Sequence, residues 1–189
     1  MVVSITFYLV RHGEAENNVR FILNSTPEIK TYPLTERGRE QAAAVAAFLA
    51  KADADVIFSS PIERTKETAG IIAEATGLPI EFDERLREIG MGVFNGKTQA
   101  ELLAKYTDPQ MRISPDPEDG LESFIDIRGR LQKFLDDVKE NYAGEKVIIV
   151  SHGDTLEQLH GILTEEAPGR SATGWYPKKG SCTEVVWRV

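Results

Sequence analysis

The stretch Lys146-Val147-Ile148-Ile149-Val150-Ser151-His152-Gly153 decides how this chain folds. After its first residue the run to Val150 is unbroken apolar β-former, which predicts a strand covered on both faces, and the polar Ser-His-Gly turn ends it. The same grammar opens the chain: Ile5 to Val10 is a buried strand ended by Arg11-His12-Gly13. Val56 to Phe58, closed by Ser59-Ser60-Pro61, predicts another strand, Ile80 to Phe82 a shorter one, and Thr183 to Val189 an alternating last strand. Between them Thr35 leads a helix whose Ala42, Val45, Ala46 and Leu49 fall on one face. Pro61 suits the first turn of a helix that continues from Thr65 to Ala75 and stops at Gly77. Further helices are expected at Thr98 to Tyr106, along Leu121, Phe124, Leu131, Phe134, Leu135 and Val138 as far as Gly144, and at Thr155 to Leu163. Alternating strands and helices predict an α/β fold, a three-layer α/β/α sandwich with a mostly parallel central sheet. One domain over residues 1–189 is expected. The irregular stretch at about 89–120, with Pro109, Pro115 and Pro117, reads as a small cap insertion. Ligands of such sheets sit beyond the carboxyl ends of the strands, which puts His12 and His152 on the same edge.

A chain of 189 residues with 41% hydrophobic and 28% charged side chains can bury a core without disulfides. The one cysteine, Cys182, reads as a structural thiol at a half-buried strand start and suits a reducing cytoplasm. The apolar N-terminus lacks a basic lead and is too short to span a membrane, so neither leader nor anchor is expected there, and the Asn24-Ser25-Thr26 sequon is incidental. A net charge of −8 without a lysine or arginine block argues against nucleic acid or an acidic membrane as partner. An anionic substrate would therefore need a few arginines converging in one cleft.

In Arg11-His12-Gly13, the arginine repels a proton from the neighbouring imidazole and keeps it a neutral nucleophile, while Gly13 lets backbone approach an anion. A loop histidine without a role is the plainer reading, and the second copy at His152 weighs against it. His12, His152 and Glu88 could instead bind a divalent cation, but the fixed charge of Arg11 opposes that, and no metal or other cofactor is expected. Ser59-Ser60-Pro61-Ile62-Glu63-Arg64-Thr65 joins a strand to a helix start, an anion site by its free N–H groups, with Arg64 placed where the helix dipole disfavours it. Leu86-Arg87-Glu88-Ile89-Gly90-Met91-Gly92-Val93-Phe94-Asn95-Gly96 fails as a nucleotide loop; it is a flexible turn or a carrier of the Glu88 carboxylate. His160 reads as a packing or surface residue.

Taken together, Leu9-Val10-Arg11-His12-Gly13-Glu14, Asn18, Pro33-Leu34-Thr35-Glu36-Arg37-Gly38, Ser59-Ser60-Pro61 with Arg64-Thr65, Leu86-Arg87-Glu88, and Val150-Ser151-His152-Gly153 resemble the histidine phosphatase superfamily, built like phosphoglycerate mutase. The resemblance implies that His12 becomes phosphohistidine and that Glu88 is the general acid and base. It also implies that Arg11, Arg64, Asn18, His152 and the Gly153 N–H hold the phosphoryl oxygens. The chain departs from the pattern at Ala15, where many relatives carry a hydroxyl, in the loop Phe21–Tyr32, and at Gly120-Leu121-Glu122-Ser123. The mutases resembled are longer, with an insertion that limits water, so the shorter cap here favours a phosphatase. A small phosphorylated metabolite is the expected partner, and a homodimer is compatible with the sequence. A cofactor-dependent phosphoglycerate mutase and a non-catalytic phospho-ligand binding module are the alternatives.

Overall fold

The computed structural model describes residues 3–188. A five-stranded sheet in the order β3-β2-β4-β1-β5 runs through its middle. β1 is Ser4–Arg11, β2 Val56–Ser59, β3 Ile80–Phe82, β4 Lys146–Ser151 and β5 Cys182–Arg188. The first four are mutually parallel and β5 is antiparallel to β1. Val189, the expected end of the last strand, lies outside the described residues.

Alternation along the strands builds the two helical layers. Ile5, Phe7, Leu9, Val147 and Ile149 face α5 (Phe124–Asn141) and α6 (Gly153–Leu163), where Phe124, Ile127, Leu131, Leu135, Leu156 and Leu159 are buried. Tyr8, Val10, Ile148 and Val150 face the other way, onto Val45, Ala46 and Leu49 of α2 (Glu36–Leu49) and Ala69 and Ile72 of α3 (Glu63–Thr76). Both faces of β1 and β4 are therefore covered, which is why their apolar runs are continuous rather than alternating. The helix starts follow local chemistry. Thr35 accepts from the Gly38 N–H at the head of α2, and Ser123 with Asp126 forms a capping box at the head of α5.

Three expectations shift. Pro61 stands one residue before the N-cap Ile62 of α3, outside the helix rather than in its first turn. The last helix starts at Gly153, directly after His152, instead of at Thr155. Leu121 lies before α5, where it bridges to Met91. A one-turn helix, α1 (Glu16–Val19), was not signalled by periodicity because four residues are too few to show one. Between β3 and α5 the chain makes short 3-10 turns and α4 (Gln99–Lys105). The buried Phe94, Leu102, Tyr106 and Leu121 of this segment are continuous with the core beneath α5 and α6. Among the described residues no helix is long and apolar enough to cross a membrane.

The β1–β4 register pairs Arg11 with Ser151, so His12 and His152 leave the sheet together, and the His12 N–H donates to the Ser151 carbonyl at 3.1 Å. Behind His12 the backbone is tightly packed. A Cβ on Gly13 would stand 2.2 Å from the Gly38 carbonyl oxygen, and one on Gly38 would stand 1.9 Å from the Glu14 oxygen. Gly13 therefore serves contact with the head of α2 and not the approach of an anion, and its N–H is already donated to Thr68 Oγ1 at 3.2 Å. We expect Gly38→Ala to destabilise the protein by about 1–3 kcal/mol, read as a lower urea midpoint at unchanged slope. An unchanged midpoint would show that α2 can move away from the His12 loop freely.

Candidate active site

His12 and His152 are fully buried, with ring centroids 5.2 Å apart. Each ring has its tautomer set by its neighbours. His12 Nδ1 lies 2.7 Å from the Gly13 carbonyl oxygen, to which it donates as N–H, leaving the Nε2 lone pair free. Arg64 Nε donates to that Nε2 at 3.1 Å, and Arg64 Nη2 to His152 Nδ1 at 3.1 Å. His152 must then carry its proton on Nε2, which donates to Ser60 Oγ at 2.8 Å. Arg64 Nη2 also reaches the Asn24 carbonyl at 3.0 Å.

Both imidazoles are held well below the usual histidine pKa of 6.5. Burial is the main cause, followed by the Arg64 cation; Arg11, which the sequence singles out for His12, ranks after both. Burial also lowers Arg64 itself to about 10. Among the described residues no carboxylate forms an ion pair with Arg64 or Arg11 (the acidic groups pair elsewhere). Arg11 is fixed by Nη1 donating to the Pro177 carbonyl at 2.8 Å and by its guanidinium over the Tyr176 ring at 5.2 Å. Arg64 Nη1 and Arg11 Nε are buried and have no acceptor among the described residues. Two cations thus hold unused donors in the site where His12 Nε2 accepts from Arg64, which is a donor set a tetrahedral oxyanion would fill.

A cleft of about 210 Å³ opens over them, lined by Arg11, His12, Asn18, Arg64 and Glu88. Glu88 accepts from the Ile89 N–H at 3.1 Å. Its carboxyl is raised above the ordinary value by burial and by the nearby Asp154 charge, against the pull of Arg64 and Arg11. Asn18 accepts from the Ala15 N–H through its side-chain oxygen at 3.1 Å, which turns its amide group to the cleft side of α1. His152 and Gly153 do not line the cleft; His152 meets it only by accepting from Arg64. Gly153 leaves room for its neighbours, since a Cβ there would meet Tyr176 Oη at 2.2 Å and Arg11 Cζ at 3.0 Å. Ala15 is fully buried against Leu34 and Ala42, so a hydroxyl is not missing from the cleft wall at that position.

The outer cleft was not legible in the sequence. Arg112, from a proline-flanked 3-10 turn, pairs with Asp154 at 2.7 Å, and Arg170 pairs with Asp154 at 2.9 Å and with Glu157 at 2.5 Å. Burial pushes Asp154 upward, but the two guanidiniums overrule it and hold it ionised. Tyr176, whose Oη donates to Asp154 at 3.2 Å, and Lys179 complete that wall. Phe21, Ile22, Leu23, Met91, Leu102 and Leu103 supply the apolar part of the lining. These groups come from segments far apart in sequence, and only Asp154, two residues past His152, offered a local signal. His160 packs flat against Trp175 at 4.1 Å, away from the cleft, as its sequence context implies. Among the described residues no group of three His, Cys, Asp or Glu is placed to hold a metal ion.

Comparison with known proteins places the chain in a family. The sequence profile of the histidine phosphatase superfamily (branch 1) matches residues 7–188. Phosphoserine phosphatase 1 of Hydrogenobacter thermophilus is 34% identical over 163 residues, 84% of this chain and 76% of the relative. The probable phosphoglycerate mutase GpmB of Escherichia coli O1:K1 is 33% identical over 153 residues, 79% of this chain and 70% of its own length. A mycobacterial glucosyl-3-phosphoglycerate phosphatase, solved with VO3, superimposes with a TM-score of 0.80 at 26% identity, covering 95% of this chain and 91% of that one.

If the tautomers are as the hydrogen bonds require, long-range proton–nitrogen NMR will find His12 protonated on Nδ1 and His152 on Nε2 at pH 6.5. Both are expected to stay neutral well below that pH. Titration of either ring near 6.5 would contradict the burial of Arg64 between them.

Proposed function

The chain belongs to the histidine phosphatase superfamily, and on that footing we propose that it hydrolyses a small phosphomonoester through a phosphohistidine on His12, without a metal. The observation that carries this reading is the His12 Nε2 lone pair, set free by the Nδ1 contact to Gly13 and facing the unused donors of Arg64 and Arg11. An arriving phosphate takes over the Arg64 hydrogen bond, because a dianionic oxygen is a far stronger acceptor than imidazole. Arg11, Arg64 and the Asn18 amide bind the phosphoryl oxygens, while His152 and the N-terminus of α6 at Gly153 orient Arg64 and add positive potential.

His12 Nε2 then bonds to phosphorus as the ester P–O bond breaks, and Glu88 in its acid form gives its proton to the departing oxygen. Water next attacks the phosphohistidine, Glu88 takes a proton from it, and the P–N bond breaks to release inorganic phosphate. Positioning and two fixed cations supply the charge stabilisation that other phosphotransfer sites obtain from magnesium. The raised Glu88 carboxyl suits an acid that must hold a proton until transfer. One cleft wall is apolar and the other cationic with a buried carboxylate, which fits a leaving group that is itself amphipathic. We further propose that the chain acts as one domain in the cytoplasm, with no nucleic acid or membrane partner. Phosphoglycerate mutase is the second reading, favoured by the likeness to GpmB. Free phosphate without isomerised phosphoglycerate, in the presence of a bisphosphoglycerate primer, excludes it.

With p-nitrophenyl phosphate, His12→Ala should leave no measurable hydrolysis, and excess chelator should leave the wild type fully active. Glu88→Gln should lower kcat by roughly 10²–10⁴ on an ester with a poor leaving group. The pH profile follows from the two shifts. Activity falls on the acid side as His12 protonates, below 6.5, and on the alkaline side as Glu88 ionises, above 4.5. Glu88→Gln should remove the alkaline limb. A requirement for added divalent cation, or an active His12→Ala, would overturn the reading.

A further inference from the structure

One edge of the sheet is the three-residue β3, and the other is the seven-residue β5. The longer edge is open. The Arg11 N–H donates to the Ser181 carbonyl at 3.1 Å, and the register places Val10 opposite Cys182. In an antiparallel ladder hydrogen-bonded and non-bonded pairs alternate, so Thr183, Val185 and Trp187 use their backbone groups on β1. Glu184, Val186 and Arg188 therefore turn their N–H and C=O groups outward, and no described residue bonds to them. Their side chains share one face and are exposed, Val186 by 55%. Proteins usually blunt such an edge with a proline, a bulge or charged side chains, and of these β5 carries only the charges of Glu184 and Arg188.

The charges on this edge are self-complementary. Neither Glu184 nor Arg188 has an ion-pair partner among the described residues, although each is a fixed charge on a strand. They lie two residues either side of Val186. A two-fold axis through Val186 would set Val186 against its own copy, Glu184 opposite Arg188 of the second copy, and Arg188 opposite Glu184. All three positions would then be hydrogen-bonded pairs, as their outward backbone groups require. Moving the axis to Val185 sets Glu184 opposite Val186, and moving it to Glu184 sets like charges face to face. Of these registers, the one through Val186 satisfies both charges and the backbone together.

We propose that two copies of this chain pair along β5 in antiparallel fashion about Val186, giving a sheet continuous across a homodimer. Opposite charges directly across such a ladder stabilise it and like charges oppose it, so the two Glu184–Arg188 pairs set the register as well as the affinity. Val186 sits opposite Thr6, five residues before Arg11, so pairing there leaves both clefts open.

Sedimentation equilibrium on the purified chain tests this. The wild type should be a dimer. Glu184→Arg alone and Arg188→Glu alone should each raise the dimer dissociation constant at least about tenfold, while an equimolar mixture of the two variants should dimerise again, because each carries the charges the other lacks. Val186→Lys, which sets two cations on the axis, should be monomeric. Unchanged hydrolysis of p-nitrophenyl phosphate per chain shows that each variant is folded; a variant that fails this check is replaced by the Val186→Lys comparison. A wild type that stays monomeric at the highest attainable concentration would overturn the proposal. So would a dimer indifferent to these charge changes, which would place the contact on another face.

Discussion

A guanidinium buried between two imidazoles is the constraint on which the rest of the structure depends. Arg64 is 2% exposed and donates to His12 on one side and His152 on the other. Both rings must therefore be acceptors toward it, so neither can be protonated without setting a proton against a proton. That single requirement fixes both tautomers, and each needs its own outward acceptor: the Gly13 carbonyl for His12 and Ser60 Oγ for His152. The two loops that supply them are brought together by β1 and β2 pairing on either side of β4. A buried cation with no paired carboxylate is costly unless something anionic arrives. The site is thus assembled against its own stability, with donors left over for an anion.

The acidic groups at the cleft are managed by equally specific means. The chain carries a net charge of −8, yet of the carboxylates at the cleft Asp154 is tied up by two arginines and the Glu88 carboxyl is raised above its ordinary value by burial. Asp154 is locked between Arg112 and Arg170 and stays ionised, and its field adds to burial in raising Glu88. Tyr176 links Asp154 to the guanidinium of Arg11. The outer wall therefore does two things through one buried carboxylate, holding an inner arginine by way of Tyr176 and adding to the upward shift that burial gives Glu88. Arg112 comes from the segment between β3 and α5, so that segment bears directly on the inner site.

Much of the sheet was legible because its chemistry is local. Three strands announced themselves by apolar runs, and the repeated His-Gly at two strand ends placed the two histidines on one edge. His12 and His152, which follow strands directly, were found for the same reason, whereas Arg64 and Glu88 drew their roles from the family resemblance. What sequence reading missed is non-local. Arg112, Arg170, Tyr176 and Lys179 carry no spacing that ties them to His12, because they come from two irregular stretches, one between β3 and α5 and one between α6 and β5. The cause of His12 neutrality was also misplaced, since adjacency points to Arg11 while burial and Arg64 weigh more. Gly13 was read for an anion and instead admits the backbone at Gly38. Proximity in sequence overstated both.

The central claim is that Nε2 of His12 is the atom that takes the phosphoryl group. Rapid acid-free quenching of turnover with a ³²P-labelled phosphomonoester, followed by proteolysis, locates the label directly. The account requires an acid-labile, alkali-stable phosphate on the His12 peptide, attached at the ring nitrogen remote from the backbone. Label on His152, on a serine, or on the Nδ1 position of His12 would contradict it, as would steady hydrolysis with no covalent label at all.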